Sequence, residues 1–367
     1  MGSTDTISFA RGAPSLDIVA VDDLRAAADR AFSEDPAGAF SYGNAWGYGP
    51  LREWIAERQE VDTNRVLATN GSLQADDFLF RHLVSSGDLV VVEAPTYDRT
   101  LLALRNIGAD LLTIPLEADG IDVGALEAAL EEGARPKLAH IISSFHNPAG
   151  CTLSLEKRRR LVDLAERHDF VLFEDDPYVE LRFEGEDVPT MLSLDQSDHV
   201  VYASSFSKTV CPGIRVGYLI GPPDLMGEIA AMATTTYISP SMVSQAIVAE
   251  FCRSGAIDRS IETVKAALRK RRDTLVDALG RHLPGARFVS PEGGYFLWAE
   301  LPDGTDSRAL QDAADEHGVK IIKGTDFLIE GGEDACRLAY SGVTPDQIDE
   351  GVSRLAAAVE SLNGAKA

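Results

Sequence analysis

Cysteine is scarce in this chain and never grouped. Its four copies, Cys151, Cys211, Cys252 and Cys336, form no Cys-x-x-Cys pair and share no ligand spacing with histidine, so no structural zinc is expected and the expected setting is a reducing cytoplasm. Basic charge is short as well: 34 Lys and Arg stand against 58 Asp and Glu, a net −24. That balance argues against nucleic acid or an anionic membrane surface as a partner. No apolar run approaches the roughly 18 residues of a membrane span. The opening "MGSTDTISFARG" lacks the basic and apolar regions of a signal peptide. Internal repeats, low-complexity tracts and long linkers are missing too.

What remains is an ordinary globular composition over 367 residues, enough for two domains or one large α/β domain with a lobe. From about residue 65 to 220, short β-rich runs alternate with helical patterns. "LVVVE" (89–93), "ADLLTI" (109–114), "KLAHIISS" (137–144), "DFVLFE" (169–174), "HVVYAS" (199–204) and "IRVGYLIG" (214–221) read as strands buried on both faces. Between them, 155–168 reads as a helix with Ser154 as N-cap. This alternation predicts a mostly parallel sheet between two helical layers. A long helical pattern over 257–283 stops at Pro284-Gly285. Beyond it, "RFVSPEGGYFLWAELP", a helix near 307–317, "VKIIKG" and "ACRLAYSG" suggest a small α+β lobe.

Chemistry concentrates in "SSFSKTVCPGIRVGY" (204–218). A desolvated lysine beside positive charge captures an aldehyde as an imine, and a phosphate on that aldehyde needs anion ligands. Lys208 supplies the amine; Ser205, Ser207 and the fork of Arg215 supply the ligands. Alone, the string reads equally well as a loop and strand facing water. "TNGSLQADDFLF" (69–80) passes through a glycine turn into a helix, which places the N–H groups of Ser72 and Leu73 where a phosphate binds; a plain N-cap turn explains it too. "EDDPYVEL" (174–181) follows a strand, where an aspartate could hold a pyridine nitrogen protonated and Tyr178 could reach a ring phenolate; a solvated acidic turn is the alternative. Asn147 in "SSFHNPAG" could donate to the same oxygen, and Tyr97 in "EAPTYDRT" could stack on a flat ring, or each could serve a turn or packing.

Taken together and in order, "ISFARGAPS", "SYGNAWGYGPLREWIA", "TNGSLQA", "EAPTYDRT", "FHNPAG", "EDDPY", "SFSKTVCPGIRVGY", "PEGGYFLW" and "CRLAYS" resemble fold-type I, pyridoxal-phosphate (PLP) aminotransferases of class I/II. The branch most resembled holds aromatic, kynurenine and 2-aminoadipate aminotransferases. The resemblance implies an α/β fold: a large domain (36–260) with a mostly parallel sheet of the seven-stranded type between helices, and a small α+β domain built from 1–35 and 261–367. It implies that Lys208 carries PLP as a Schiff base and shuttles the substrate proton. Asp175 would pair with the pyridinium nitrogen, Asn147 and Tyr178 with the phenolate oxygen, and Tyr97 would cover the ring. Ser72, Leu73 through its backbone, Ser205, Ser207 and Arg215 would hold the phosphate. Tyr42 would reach the phosphate of a neighbouring subunit, so a homodimer is implied. Arg337, with Gly12, Asn147 and Arg11, forms the implied substrate-binding set, Arg337 clamping the α-carboxylate.

The sequence departs from the family pattern in places. Leu73 stands where glutamine is commoner and can offer only its backbone. His146 also replaces a usual glutamine and reads as a packed neighbour rather than a base. The short N-terminus puts in doubt a segment that covers substrate in relatives. Arg11 could receive a distal carboxylate or pair with a surface acid, while Trp46, Tyr48 and Tyr237 could shape an aromatic pocket or simply pack. The expected reaction moves an amino group from an α-amino acid to a 2-oxo acid, with 2-oxoglutarate as acceptor, in a ping-pong cycle. The alternatives are a PLP lyase, racemase or cyclase on the same fold, an effector-sensing regulator domain, for which 1–40 is too short and acidic, and a non-catalytic PLP binder.

Overall fold

The structure is a computed structural model and describes residues 6–364. A two-residue strand, β1 (Ile7–Ser8), lies in the N-terminal segment. The central sheet then takes β2 (Val66–Thr69), β3 (Leu89–Ala94), β4 (Asp110–Glu117), β5 (Gly120–Ile121), β6 (Leu138–Ile141), β7 (Val171–Asp175), β8 (Val200–Ser205) and β9 (Gly217–Ile220). Across the sheet the order is β2-β9-β8-β7-β6-β3-β4-β5. Only β9 runs against both of its neighbours, and β5 folds back on β4; every other pairing is parallel. The seven expected strands are therefore joined by one short hairpin strand.

Side-chain alternation divides the sheet's two faces between two apolar cores. Leu172, Val200 and Ile220 point into one, with Leu161 and Leu164 of helix Leu155–His168 and Phe251 of helix Met242–Arg253. Their neighbours Phe173, Val201 and Leu219 point into the other, with Phe78 and Leu79 of helix Ser72–Leu83 and Leu101 and Leu104 of helix Asp98–Ile107. Helices thus cover both faces, and the polar strand ends are left as the open edge where ligands of such sheets bind.

The third core joins the two chain ends. β10 (Phe296–Glu300), β11 (Val319–Lys320), β12 (Ile322–Lys323) and β13 (Ala335–Ala339) complete the strands, with β13 between β10 and β12 and β11 paired to β1. Phe9 packs here with Leu275, Leu297, Leu338 and Val352. The long helix Ala256–His282 passes from one core to the next: Ile257 and Ile261 belong to the first, Val264 and Leu268 to the third. Helix Val21–Glu34 puts Ala27 and Ala31 into the first core, packed against helix Met242–Arg253.

Two local expectations are corrected. The strand read over 214–221 begins only at Gly217, because Pro212–Ile214 form a tight turn and Arg215 takes a left-handed backbone (φ 50°, ψ 54°) that ends any extended run. Ser154 does sit at the N-cap of its helix, but its hydroxyl accepts no cap hydrogen bond.

Candidate active site

Lys208 follows β8 by three residues, on the turn that leads to β9. Its Nζ donates to the carbonyl of Gly12 at 2.9 Å and stands 5.4 Å from the Tyr178 ring and 5.3 Å from the Tyr295 ring. Burial, then the charges of Arg215 and Arg337, bring its pKa down to about 8, against a smaller upward pull from Asp175. No carboxylate among the described residues forms an ion pair with Lys208, Arg215 or Arg337, although the chain carries 58 acids.

Asp175 ends β7 with its side chain turned toward this space. It is 5% exposed; Oδ2 lies 3.5 Å from His140 Nε2, and Oδ1 is buried without a hydrogen-bond partner. Strand alternation sends its neighbours the other way. Glu174 accepts from Ser143 Oγ (2.9 Å), Arg158 Nη1 (3.4 Å) and the Leu192 amide (3.0 Å), while Asp176 accepts from Ser144 Oγ (3.1 Å). Both are fully buried, so neither is the solvated turn residue that the sequence allowed. Burial pushes the Glu174 carboxyl up while the Arg158 charge and its donors pull it down. It accepts at both oxygens and donates at neither, the pattern of a carboxylate. Burial and the charge of Glu174 raise Asp176 to about 8.

The hydroxyl cluster lies on the same turn. Ser205 Oγ donates to Ser207 Oγ at 2.9 Å, and Arg215 Nη1 donates to Ser207 Oγ at 3.2 Å. The left-handed backbone of Arg215 aims its guanidinium at Gly71, where any Cβ would run into it. A Cβ at Gly217 would likewise meet the Ser72 amide. Glycine is required at both positions for the helix N-terminus at Ser72 to stand this close to the turn. Leu73 follows with its side chain 44% exposed, so only its backbone faces inward.

Arg337, on β13, is 7% exposed. Nη1 donates to Asn147 Oδ1 at 2.8 Å and Nη2 to the Ala10 carbonyl at 2.7 Å. Tyr97 and Tyr178 border the same space. Burial, then the negative charges of Asp98, Asp175 and Asp76, raise Tyr97 to about 12, and burial raises Tyr178 well above its ordinary value. Gly12 presses against the Phe296 ring so closely that a Cβ would collide with it. The chain segment over 9–13 is thus laid against Lys208 and Arg337.

Two expected residues lie at the surface. Tyr42 is 87% exposed, and Arg11 is exposed with no ion pair among the described residues. Tyr48 is tied to Asp35 at 2.8 Å, Tyr237 to the Ala45 carbonyl at 3.3 Å, and Trp46 lies under Arg52, so these aromatics serve packing. His146 is buried; the Ala149 amide donates to its Nδ1 (3.2 Å), which leaves Nε2 to donate to Glu93 (3.0 Å). Sequence reading missed four site residues: Asp76, His140, Tyr295 and Phe327. Asp76 lies one turn after Ser72 on the buried face of the same helix, a spacing that could have flagged it. Burial, then the charge of Asp175, raises its pKa well above the usual carboxylate range.

A doubly wound sheet whose strand ends gather a buried lysine, an orphaned carboxylate oxygen and a hydroxyl–guanidinium anion site defines an enzyme built around a phosphorylated aldehyde cofactor. The family model "Aminotransferase class I and II" matches residues 4–355, and the chain belongs to that family. The chain is similar to aromatic-amino-acid aminotransferase 1 of Thermococcus litoralis, at 33% identity over 98% of this chain and 89% of that protein. Among solved structures, the kynurenine aminotransferase of Pyrococcus horikoshii, in complex with PMP, superposes with TM-score 0.94 at 32% identity, over 98% of this chain and 92% of the other. The α-aminoadipate aminotransferase of Thermus thermophilus, complexed with N-(5'-phosphopyridoxyl)-L-leucine, gives 0.93 at 33% identity, over 98% and 93%. The protein is a PLP-dependent transaminase of fold type I.

Proposed function

We propose that the enzyme moves the amino group of an α-amino acid to 2-oxoglutarate by a ping-pong cycle, with Lys208 as its Schiff-base lysine. The observation that carries this reading is Lys208 itself: a half-neutral amine near pH 8, held between two arginines and paired with no described carboxylate. The residues present fit PLP. Asp175 Oδ1 lacks a partner that a protonated ring nitrogen would supply, and Ser205, Ser207, Arg215 and the Ser72 helix end form an anion cradle bounded by two obligatory glycines.

PLP supplies an aldehyde that captures amines and a ring that accepts electrons from the substrate Cα–H bond. Lys208 Nζ would hold the cofactor's aldehyde carbon and, as a free amine, would carry the substrate proton away from and back to carbon. Asp175, with His140 Nε2 3.5 Å from its Oδ2, would keep the ring nitrogen protonated. Asn147 and Tyr178 would hold the ring at its phenolate oxygen, Tyr97 would cover it, and the backbone of Leu73 would add to the phosphate cradle. Arg337 receives the α-carboxylate, with Asn147 and Gly12 beside it. Arg11, exposed and without an ion pair among the described residues, would receive a distal carboxylate. Tyr42 serves the site of a neighbouring copy in a homodimer. Four free cysteines suit a cytoplasmic setting.

A screen of amino donors on the holoenzyme tests this assignment. Lys208→Ala is expected to lower turnover by about 10³-fold or more, and turnover at the wild-type rate would contradict the mechanism. Arg11→Ala is expected to weaken glutamate and 2-aminoadipate far more than leucine; equal losses would remove Arg11 from substrate recognition.

A further inference from the structure

Arg337 is held in an unusual way for a buried cation in so acidic a chain. Its two terminal nitrogens donate only to neutral acceptors, Asn147 Oδ1 and the Ala10 carbonyl, and its Nε is buried without a partner. In place of a carboxylate it has two aromatic faces: its guanidinium carbon lies 4.5 Å from the centroid of the Phe296 ring and 4.7 Å from that of Phe327. A ring face attracts a desolvated guanidinium without neutralising it. An acidic partner would do more for the buried charge, but substrate would then have to displace it.

Both rings are themselves fixed. Phe296 sits on β10 beside β13, meets the Tyr178 ring edge-on (5.7 Å, 87°), and is capped by Gly12. Phe327 is 1% exposed, meets Trp298 edge-on (5.8 Å, 82°), and accepts from the Thr96 amide at 2.9 Å through its own carbonyl. Thr96 directly precedes Tyr97, so Phe327 ties the β3 loop to the arginine on β13.

We infer that Phe327, together with Phe296, is a positioning residue for carboxylate recognition, its ring holding the Arg337 guanidinium desolvated, oriented and unpaired until a substrate carboxylate arrives. The inference rests on the reading of Arg337 as the α-carboxylate ligand. It predicts a defect confined to ligands that carry a carboxylate. Leucine at 327 fills most of the volume but has no ring face to offer.

The test compares phenylalanine with phenethylamine, the same amine without its carboxylate, on wild-type holoenzyme, Phe327→Leu, Phe327→Met and Arg337→Lys. Binding is read from the change in cofactor absorbance, and KM and kcat are measured for phenylalanine. Phe327→Leu is expected to weaken phenylalanine binding and raise its KM about tenfold. Phenethylamine binding and the resting cofactor spectrum should stay within about twofold. Phe327→Met is expected to behave alike and replaces Leu if that variant misfolds. Equal loss for both ligands, or no loss for phenylalanine, overturns the inference. If Arg337→Lys also leaves phenylalanine binding unchanged, the carboxylate-clamp reading falls and takes the inference with it. If Arg337→Lys weakens binding and Phe327→Leu does not, only the role of the ring is lost.

Discussion

At Lys208, burial strips water from an ammonium group that already faces Arg215 and Arg337, and both effects lower its affinity for a proton. Below about pH 8 the folded amine is charged; above it, the amine is free to capture an aldehyde. Capture of PLP by the cofactor-free protein is therefore expected to rise roughly tenfold per pH unit up to that point and then level off. Rapid-mixing absorbance measures it, and a midpoint near the ordinary lysine value would show that the two arginines exert no such effect. The same shift has a sign for stability. Between about 8 and 10.5 the unfolded chain holds a proton that the folded one has lost, so stability of the cofactor-free protein rises with pH across that window.

At the scale of elements, the last two residues of β7 and the one after it are three acids in a row, and backbone alternation sorts them. Asp175 faces His140 with Oδ1 unpartnered, while Glu174 and Asp176 face a buried network anchored by Arg158 of helix Leu155–His168. Arg158 is fully buried and donates to Glu174, Ser144 and the carbonyls of Leu153, Ser143 and Pro189. Arg158→Ala leaves Glu174 buried without its cation, and a loss of about 3–5 kcal/mol in unfolding free energy is expected. Denaturant unfolding at fixed subunit concentration measures it; a loss below about 1 kcal/mol would mean the network is held by its neutral donors alone.

What the sequence made legible follows from the same scale. Continuous apolar runs gave the strands, and the residues at their carboxyl ends, Lys208, Asp175, Asn147 and Ser205, sit where a local pattern points. Other features depend on distant partners. Nothing near "EDDPY" signals that Arg158 and Ser144 bury its outer acids. Nothing in "CPGIRVG" shows that Arg215 turns left-handed to face a glycine 144 positions earlier (215 − 71). Phe327 was invisible because, in a loop between strands, its inferred role lies in an arginine on β13.

Over the whole molecule, a net charge of −24 surrounds a site where three cations stand without carboxylate partners among the described residues. The protein field would repel anionic ligands, and the local cations reverse that repulsion at the strand ends. No described helix is long and apolar enough to cross a membrane. Tyr42 is 87% exposed, as its proposed role in a second copy requires. The central claim is amino transfer in two separable halves. The most direct measurement mixes holoenzyme with a single amino acid and no acceptor, and counts the 2-oxo acid released while following cofactor absorbance. The account predicts one 2-oxo acid per subunit, no ammonia, and recovery of the starting spectrum when 2-oxoglutarate is added. Continuous release of ammonia, or of any product without an acceptor, would contradict it.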